Sequence, residues 1–309
     1  MGDLNEILTH LQGELGPLAT APMELEGGIT NRNFRVTFGG GEYVLRLPGR
    51  DTELLGIDRR AERIASEAAA ALGIAPEVAA TYDDCLVTRF LVGRALQARE
   101  PAEHVEEIAR ALRRFHDSPT RIPSSFSVPE LLARYADIVH ERGGTLPDAY
   151  AQARGAAERI GAALPCTRPR PCHNDLLAAN FIRAEHDGRV LIVDWEYAGM
   201  GDARFDLGNL SVNNHFDAAT DERLLSAYHG RSPSPGEHAA LALMRVLSDA
   251  REGAWGVVQR HVSELAFDFD GYAREHFARM SATVARPEFE RWLAAAGAER
   301  TEEHDGQAA

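Results

Sequence analysis

The apolar period of this 309-residue chain changes once, near Gly93, and that change restricts the fold more than any other feature. Before it, apolar runs of strand length are separated by turn residues. "MELEGGITNRNFRVTF" and "GGGEYVLRLPG" read as two strands joined by a glycine turn, and "EVAATYDDCLVTRFLVG" as two more around an Asp-Asp turn. Two helices accompany them. One lies within residues 1–20; the other, over 52–72, is rich in alanine, glutamate and arginine and is stopped by Gly73 and Pro76. After Gly93 helical spacing dominates, over 101–117, 129–142, 148–164, 219–229, 236–264 and 269–283. Strands gathered at one end and helices at the other predict an α+β protein of two lobes, a small β-rich lobe over 1–92 and a larger helical lobe over 93–297. The stretch 298–309 reads as a disordered acidic tail.

One segment breaks the helical pattern. "CHNDLLAANFIRAEHDGRVLIVDWEY", residues 172–197, reads as a short hairpin, strand, His-Asp-Gly turn, strand, preceded by a polar loop. Asp175 and Asn180 stand among leucines and alanines, and Asp194 stands where an apolar strand ends. Burying such groups costs several kcal/mol unless each finds a partner. Alone, Asn174 and Asp175 could simply cap a turn. Antiparallel pairing, however, brings Asn180, before the first strand, and Asp194, after the second, to one end of the hairpin, with Asp175 just upstream. One carboxylate, one carboxamide and a second carboxylate are hard oxygen donors suited to Mg²⁺.

Composition removes several other chemistries. All 33 basic residues are arginine, so Schiff-base chemistry and a lysine-bearing phosphate loop are excluded. A net charge of -14 argues against a nucleic-acid binder and suits a cationic small molecule. No apolar run approaches the roughly 18 residues of a membrane span, and the N-terminus is acidic and amphipathic, which predicts a cytoplasmic protein. Three cysteines without CxxC pairing give neither a disulfide framework nor a zinc site. Nothing in the sequence indicates an oligomeric state.

The spacing His173-Asn174-Asp175, Asn180, then Asp194-Trp195-Glu196 is the layout of phosphoryl transfer in protein kinases. In that layout Asp175 accepts the proton of the substrate hydroxyl, and Asn180 and Asp194 hold the metal on the nucleotide phosphates. His173, counted with Asp175 in the catalytic group, reads as a hydrogen-bonding brace. The segment "GGITN" can close over phosphates, Gly28 permitting close approach and Thr30 and Asn31 adding polar contacts. Arg46 stands at the strand position of the kinase lysine, with Glu62 on the following helix as its ion-pair partner.

With these residues in hand, the sequence resembles the choline/ethanolamine kinase family, within the wider group of protein-kinase-like folds that includes aminoglycoside phosphotransferases. The resemblance rests on "EGGITNRNF", "YVLRLPG", "CHNDLLAANFI", "LIVDWEYAGMGDARFDLGN", "WGVVQ" and "FDFDGYAREHF", and runs from about residue 26 to 277. It implies transfer of the ATP γ-phosphoryl group, with Mg²⁺, to the hydroxyl of a small amino alcohol. It also implies a brace role for Asp206, and a hinge in which backbone groups of Arg89, Phe90 and Leu91 meet the adenine. By the same resemblance Trp255 and Tyr272 are two of the aromatic rings around the substrate ammonium. Two departures accompany it. Glu252 stands one turn before Trp255, where animal choline kinases carry an aromatic residue, and Asn213 stands near a position where the family often has glutamate. They weaken the case for choline and leave ethanolamine or another amino alcohol open, since a carboxylate at 252 could neutralise an ammonium and accept hydrogen bonds that choline cannot give. An aminoglycoside-type phosphotransferase and a catalytically silent pseudokinase stay open as alternatives, the latter opposed by the presence of Asp175, Asn180 and Asp194.

Overall fold

The structure, a computed structural model, describes residues 4–25, 31–49 and 51–307, with the side chains of 298–307 excepted. Helix α1 (Leu4–Leu15) is followed by a five-stranded antiparallel sheet of β1 (Met23–Leu25), β2 (Asn31–Phe38), β3 (Gly41–Pro48), β4 (Val78–Tyr82) and β5 (Cys85–Arg89), in the order β1-β2-β3-β5-β4. The turn of β2 and β3 is Gly39-Gly40, both at positive φ, the geometry that a two-residue hairpin with right-handed twist requires. Alternation sorts β3. Tyr43, Leu45 and Leu47 point into a small core with Phe34, Val36, Phe38 and the α1 residues Ile7, Leu8 and Leu11, while Arg46 faces the other way. A one-residue slip of β3 would exchange Arg46 with the leucines, so the apolar pattern itself fixes where this cation stands.

Helix α2 (Arg59–Ala71) starts at Asp58, whose side chain accepts from the backbone N–H of Arg60 and Ala61. The helix expected from residue 52 is thus two pieces, a 3₁₀ turn (Thr52–Leu55) broken at Gly56 and then α2. The inner face of α2 (Ala61, Ala65, Ala69) buries against the core of the following lobe, with Leu96, Phe115 and Trp195. Small residues allow that close approach and seat Glu62 beside the residues after the hairpin.

The rest is largely helical: α3 (Val105–His116), α4 (Val128–Glu141), α5 (Asp148–Ala163), α6 (Ala203–Asn213), α7 (Ala218–His229), α8 (Pro235–Val262), α9 (Phe269–Val284) and α10 (Pro287–Gln307). Helix α8 begins with a capping box, Ser234 and Glu237, and is the axis of the lobe, packed by α4, α5, α6, α9 and α10. Its residues 246–259 are all buried, so the charged groups among them, Asp249, Arg251 and Glu252, must be satisfied inside.

The expected hairpin is present as β8 (Phe181–Ala184) and β9 (Val190–Ile192), with Phe181 opposite Ile192 and β6 (Gly93–Ala95) added on the free edge of β8. Two features escaped the sequence. A pair of three-residue strands, β7 (Arg170–Cys172) and β10 (Gly199–Gly201), brackets the loop, and α6 carries the segment that had registered only as a motif. Helix α10 continues through 298–307, where composition had suggested a tail; residues 308–309 lie outside the described residues. No helix among the described residues is long and apolar enough to cross a membrane.

Candidate active site

The loop after β7 is held from below by one carboxylate. Asp206, on α6 and without solvent exposure, accepts from the backbone N–H of His173 at 2.8 Å and of Asn174 at 2.7 Å. His116 Nε2 on α3 adds a third contact at 2.9 Å. Burial alone would raise the Asp206 pKa; the His116 bond and the two histidines nearby outweigh it and hold the carboxyl below its ordinary value. Asn174 takes the left-handed conformation at φ 69°, which asparagine tolerates better than most residues, and its Nδ2 donates to the Tyr197 carbonyl at 2.9 Å. It therefore ties the loop to the segment after β9 rather than capping its own turn.

His173 is fully buried and both ring nitrogens are used. Nδ1 accepts the Asp175 N–H at 3.2 Å and Nε2 donates to the Val193 carbonyl at 3.0 Å. Burial lowers its pKa, so the ring is neutral and fixed in one tautomer. With no nitrogen free, it positions Asp175 and is not itself an acid or base.

Asp175 is 8% exposed and projects from this frame. Its backbone carbonyl accepts from Asn180 Nδ2 at 2.8 Å and its Oδ2 from the same nitrogen at 3.3 Å. Asn180 ends a 3₁₀ turn (Ala178–Asn180) directly before β8, and its carbonyl accepts the Val193 N–H at 2.9 Å. That bond across the hairpin sets Asp194, the next residue, beside it. With Nδ2 committed to Asp175, Asn180 offers its Oδ1 as a cation ligand. Asp194 also adopts the left-handed conformation, φ 68°, as the strand ends.

Asn180, Asp194 and Arg46 line one cleft of about 390 Å³, walled by Val44, Leu86, Leu91 and Ile182. Arg46 Nη1 donates to Asp194 Oδ1 at 2.6 Å and to Glu62 Oε1 at 2.8 Å. Burial works against the Arg46 charge, but Asp194 and Glu62 more than restore it, so the guanidinium stays ionised. A second arginine, Arg59, bridges Glu62 at 2.7 Å and Glu196 at 3.3 Å and donates to Asn31 Oδ1 at 2.9 Å. Asn31 in turn donates to Glu196 at 2.8 Å. Burial and the neighbouring Asp194 push the Glu196 carboxyl up to about 7. Two guanidiniums among three carboxylates leave this cluster one negative charge in excess when all are ionised, a balance suited to a divalent cation. Gly28 and Thr30 lie outside the described residues.

At the far end of the cleft the backbone N–H of Arg89 donates to the carbonyl of Glu77, just before β4, and that of Phe90 to the carbonyl of Glu42 on β3. The Arg89 side chain turns back over Tyr43. The Arg89 and Phe90 amides are thus both engaged within the lobe.

On the opposite side of Asp175 a chain of contacts runs into α8 and α9. Arg251 Nη1 donates to Asp175 Oδ1 at 3.2 Å and to Glu252 Oε1 at 2.8 Å, and the Tyr272 hydroxyl donates to Glu252 Oε2 at 2.7 Å. Gly253 allows α9 this close, since a Cβ there would meet Phe277 at 2.6 Å. Trp255 packs edge-on to Tyr272 with ring centroids 5.5 Å apart, and its indole N–H donates to the Tyr197 hydroxyl at 2.8 Å. Its ring is 7% exposed and belongs to the helical core. Asn213 does not join this chain. Its amide nitrogen and oxygen are buried without a partner among the described residues, and it is the next residue, Asn214, that bonds the Leu176 carbonyl behind the loop.

Burial pushes the Asp175 carboxyl up, with Arg251 opposing and Glu252, Asp194 and Glu196 reinforcing; the result is about 8. A carboxyl so placed takes up a proton far more readily than a surface aspartate, as a general base requires. Arg59, Glu196, His116 and Arg251 were not singled out by sequence, although Glu196 sat inside a quoted motif.

Residues 23–243 match the phosphotransferase enzyme family. A solved structure from Mesorhizobium loti, described as a choline/ethanolamine kinase family protein, is 32% identical, covers 95% of this chain and 98% of its own, and superposes with a TM-score of 0.76. Human ethanolamine kinase 1 is 24% identical across 88% of this chain and 69% of its own length. Protein LicA of Haemophilus influenzae is 26% identical over 67% of this chain and 62% of its own, so the chain spans less than two thirds of that relative. The chain belongs to the phosphotransferase enzyme family and, within it, to the choline/ethanolamine kinase family, with a bilobal protein-kinase-like fold.

Proposed function

We propose that this chain transfers the γ-phosphoryl group of ATP to the hydroxyl of a small amino alcohol. The observation that carries the reading is the convergence of Asn180, Asp194 and Arg46 on one cleft, with Asp175 bonded to Asn180 directly behind it. The cleft takes the nucleotide, with the Leu91 amide facing the base and Arg46, oriented by Glu62, facing the phosphates. The hard oxygens of Asn180 and Asp194 fit Mg²⁺, which when bound neutralises charge on the phosphate oxygens. Asp175 takes the acceptor's hydroxyl proton as that oxygen bonds to phosphorus and the bond to the leaving ADP breaks. The amine side of the acceptor lies toward Glu252 and Tyr272, with Trp255 backing the Tyr272 ring. Glu252 is 1% exposed and already engaged, which favours a small head group over a broad aminoglycoside.

The test is ADP release from MgATP across ethanolamine, choline and aminoglycosides. Turnover with a small amino alcohol, lost in Asp175→Asn while nucleotide binding persists, is the expected result. Turnover only with aminoglycosides, or full turnover in Asp175→Asn, would overturn the reading.

A further inference from the structure

Arg251 has no part in the chemistry above, yet it is the largest fully buried side chain of the described residues and touches Asp175. Its guanidinium lies 4.4 Å from the centroid of the Tyr197 ring, and its Nη1 is shared between Asp175 and Glu252. Its Nε and Nη2 are buried and have no partner among the described residues. A guanidinium carries five N–H donors, and leaving three of them unpaired away from water opposes folding unless something else gains by it.

The unpaired edge is a particular one. Nε and Nη2 form the side-on fork that accepts a planar carboxylate through two parallel bonds. This chain uses that fork elsewhere. Arg32 donates through Nε at 2.8 Å and Nη2 at 3.1 Å to the two oxygens of Glu24, and Arg223 through Nε at 2.7 Å and Nη2 at 2.8 Å to those of Glu106. In Arg251 the same edge lies buried and unpaired beside the expected base, while its remaining nitrogen is held by Asp175 and Glu252. A carboxylate on the fork would complete the guanidinium and, through it, lie one residue's width from both the base and Glu252.

Resting on the amino-alcohol reading above, we infer that the acceptor carries a carboxylate as well as an amine: a small hydroxy amino acid, its carboxylate on the Nε/Nη2 fork of Arg251, its ammonium toward Glu252 and its hydroxyl at Asp175. The hydroxyl oxygen bonds to the γ-phosphorus, its proton passes to Asp175, and the products are ADP and the O-phospho amino acid. A buried cation beside the base discriminates against acceptors of pure positive charge, and Glu252 selects for an amine that can donate hydrogen bonds.

The test uses the full chain with MgATP and compares serine, threonine and homoserine with the methyl ester of each and with ethanolamine and choline, following ADP release and product mass. Each ester keeps the amine and hydroxyl and lacks only the carboxylate charge. The expected result is a kcat/KM for one of the acids at least about tenfold above its ester and above ethanolamine. Arg251→Lys, which keeps the charge and loses the fork, should close that gap by raising KM for the acid while KM for ATP holds. Equal use of acid and ester, or transfer confined to acceptors without a carboxylate, overturns the inference and leaves the amino-alcohol reading standing. Transfer to neither class removes both. The ester comparison on the wild-type chain decides the matter even where Arg251→Lys fails to fold.

Discussion

Asp175→Asn should destroy transfer and make the protein more stable, increasingly so as the pH rises. The Asp175 carboxylate is nearly enclosed, receives one cationic contact at 3.2 Å and one amide contact at 3.3 Å, and has Glu252, Asp194 and Glu196 nearby. Its folded pKa is pushed up to about 8 from an ordinary 3.8. A carboxyl whose folded pKa exceeds its unfolded value contributes nothing adverse below about pH 4. It then costs stability progressively as the pH climbs to about 8, because the unfolded chain ionises first. At about 1.4 kcal/mol per pH unit the full cost above pH 8 is at most roughly 6 kcal/mol. Asparagine removes the charge and keeps an oxygen for Arg251, forfeiting about 1 to 2 kcal/mol of charge-assisted bonding. The net gain is on the order of 2 to 4 kcal/mol at pH 8.5, a rise in melting temperature of roughly 4 to 8 °C for a chain of this size, and it should shrink to near nothing by about pH 4.5. Thermal melts of both proteins at three pH values, without nucleotide or magnesium, measure it. A variant no more stable than wild type at pH 8.5, or one whose advantage does not depend on pH, refutes the claim that burial raises the Asp175 pKa.

The opposite sign is expected at Asp206, whose folded pKa is lowered by partners that outweigh its burial. Asp206→Ala leaves two loop N–H groups and His116 without an acceptor, and urea unfolding at pH 7 should register a loss of about 3 to 5 kcal/mol, against a smaller loss for Asp206→Asn; a loss under about 1 kcal/mol would show the loop held by other means. Because the contribution belongs to the ionised form, it is present above about pH 4 and disappears as the pH falls through the lowered pKa. For Asp194→Ala, nucleotide binding followed by calorimetry should lose its dependence on Mg²⁺, and an unchanged dependence would remove Asp194 from the metal site.

What the sequence disclosed and what it withheld follow from the range of the forces involved. The strands around Arg46 were legible because a period of two, a Gly-Gly turn and a single cation among leucines are all local. The hairpin was legible for a related reason: polar residues at the ends of apolar runs need no distant partner to be noticed. Helix α6 was not, because Phe205 through Val212 are buried on every side and no polar stripe remains to mark a period. Helix α10 shares its alanine, glutamate and arginine with charged tails, and only the burial of Phe289 and Ala296 in the helical core sets it apart.

The arginines were the least legible of all. With 33 of them in the chain, nothing local distinguishes Arg59, which reaches Glu196 across 137 positions, or Arg251, which reaches Asp175 across 76. Glu252 drew attention only as a departure at one position, since adjacent residues on a helix point to different faces and are not read as a pair. Inside α8 that rule lapses. Every face is buried between 246 and 259, so Arg251 and Glu252 share no solvent to escape into, and the guanidinium folds back to 2.8 Å from its neighbour. The two residues therefore form one unit, a cation paired with carboxylates on one edge and unpaired on the other. It is the unpaired edge, more than either charge, that the comparison of acid with ester tests.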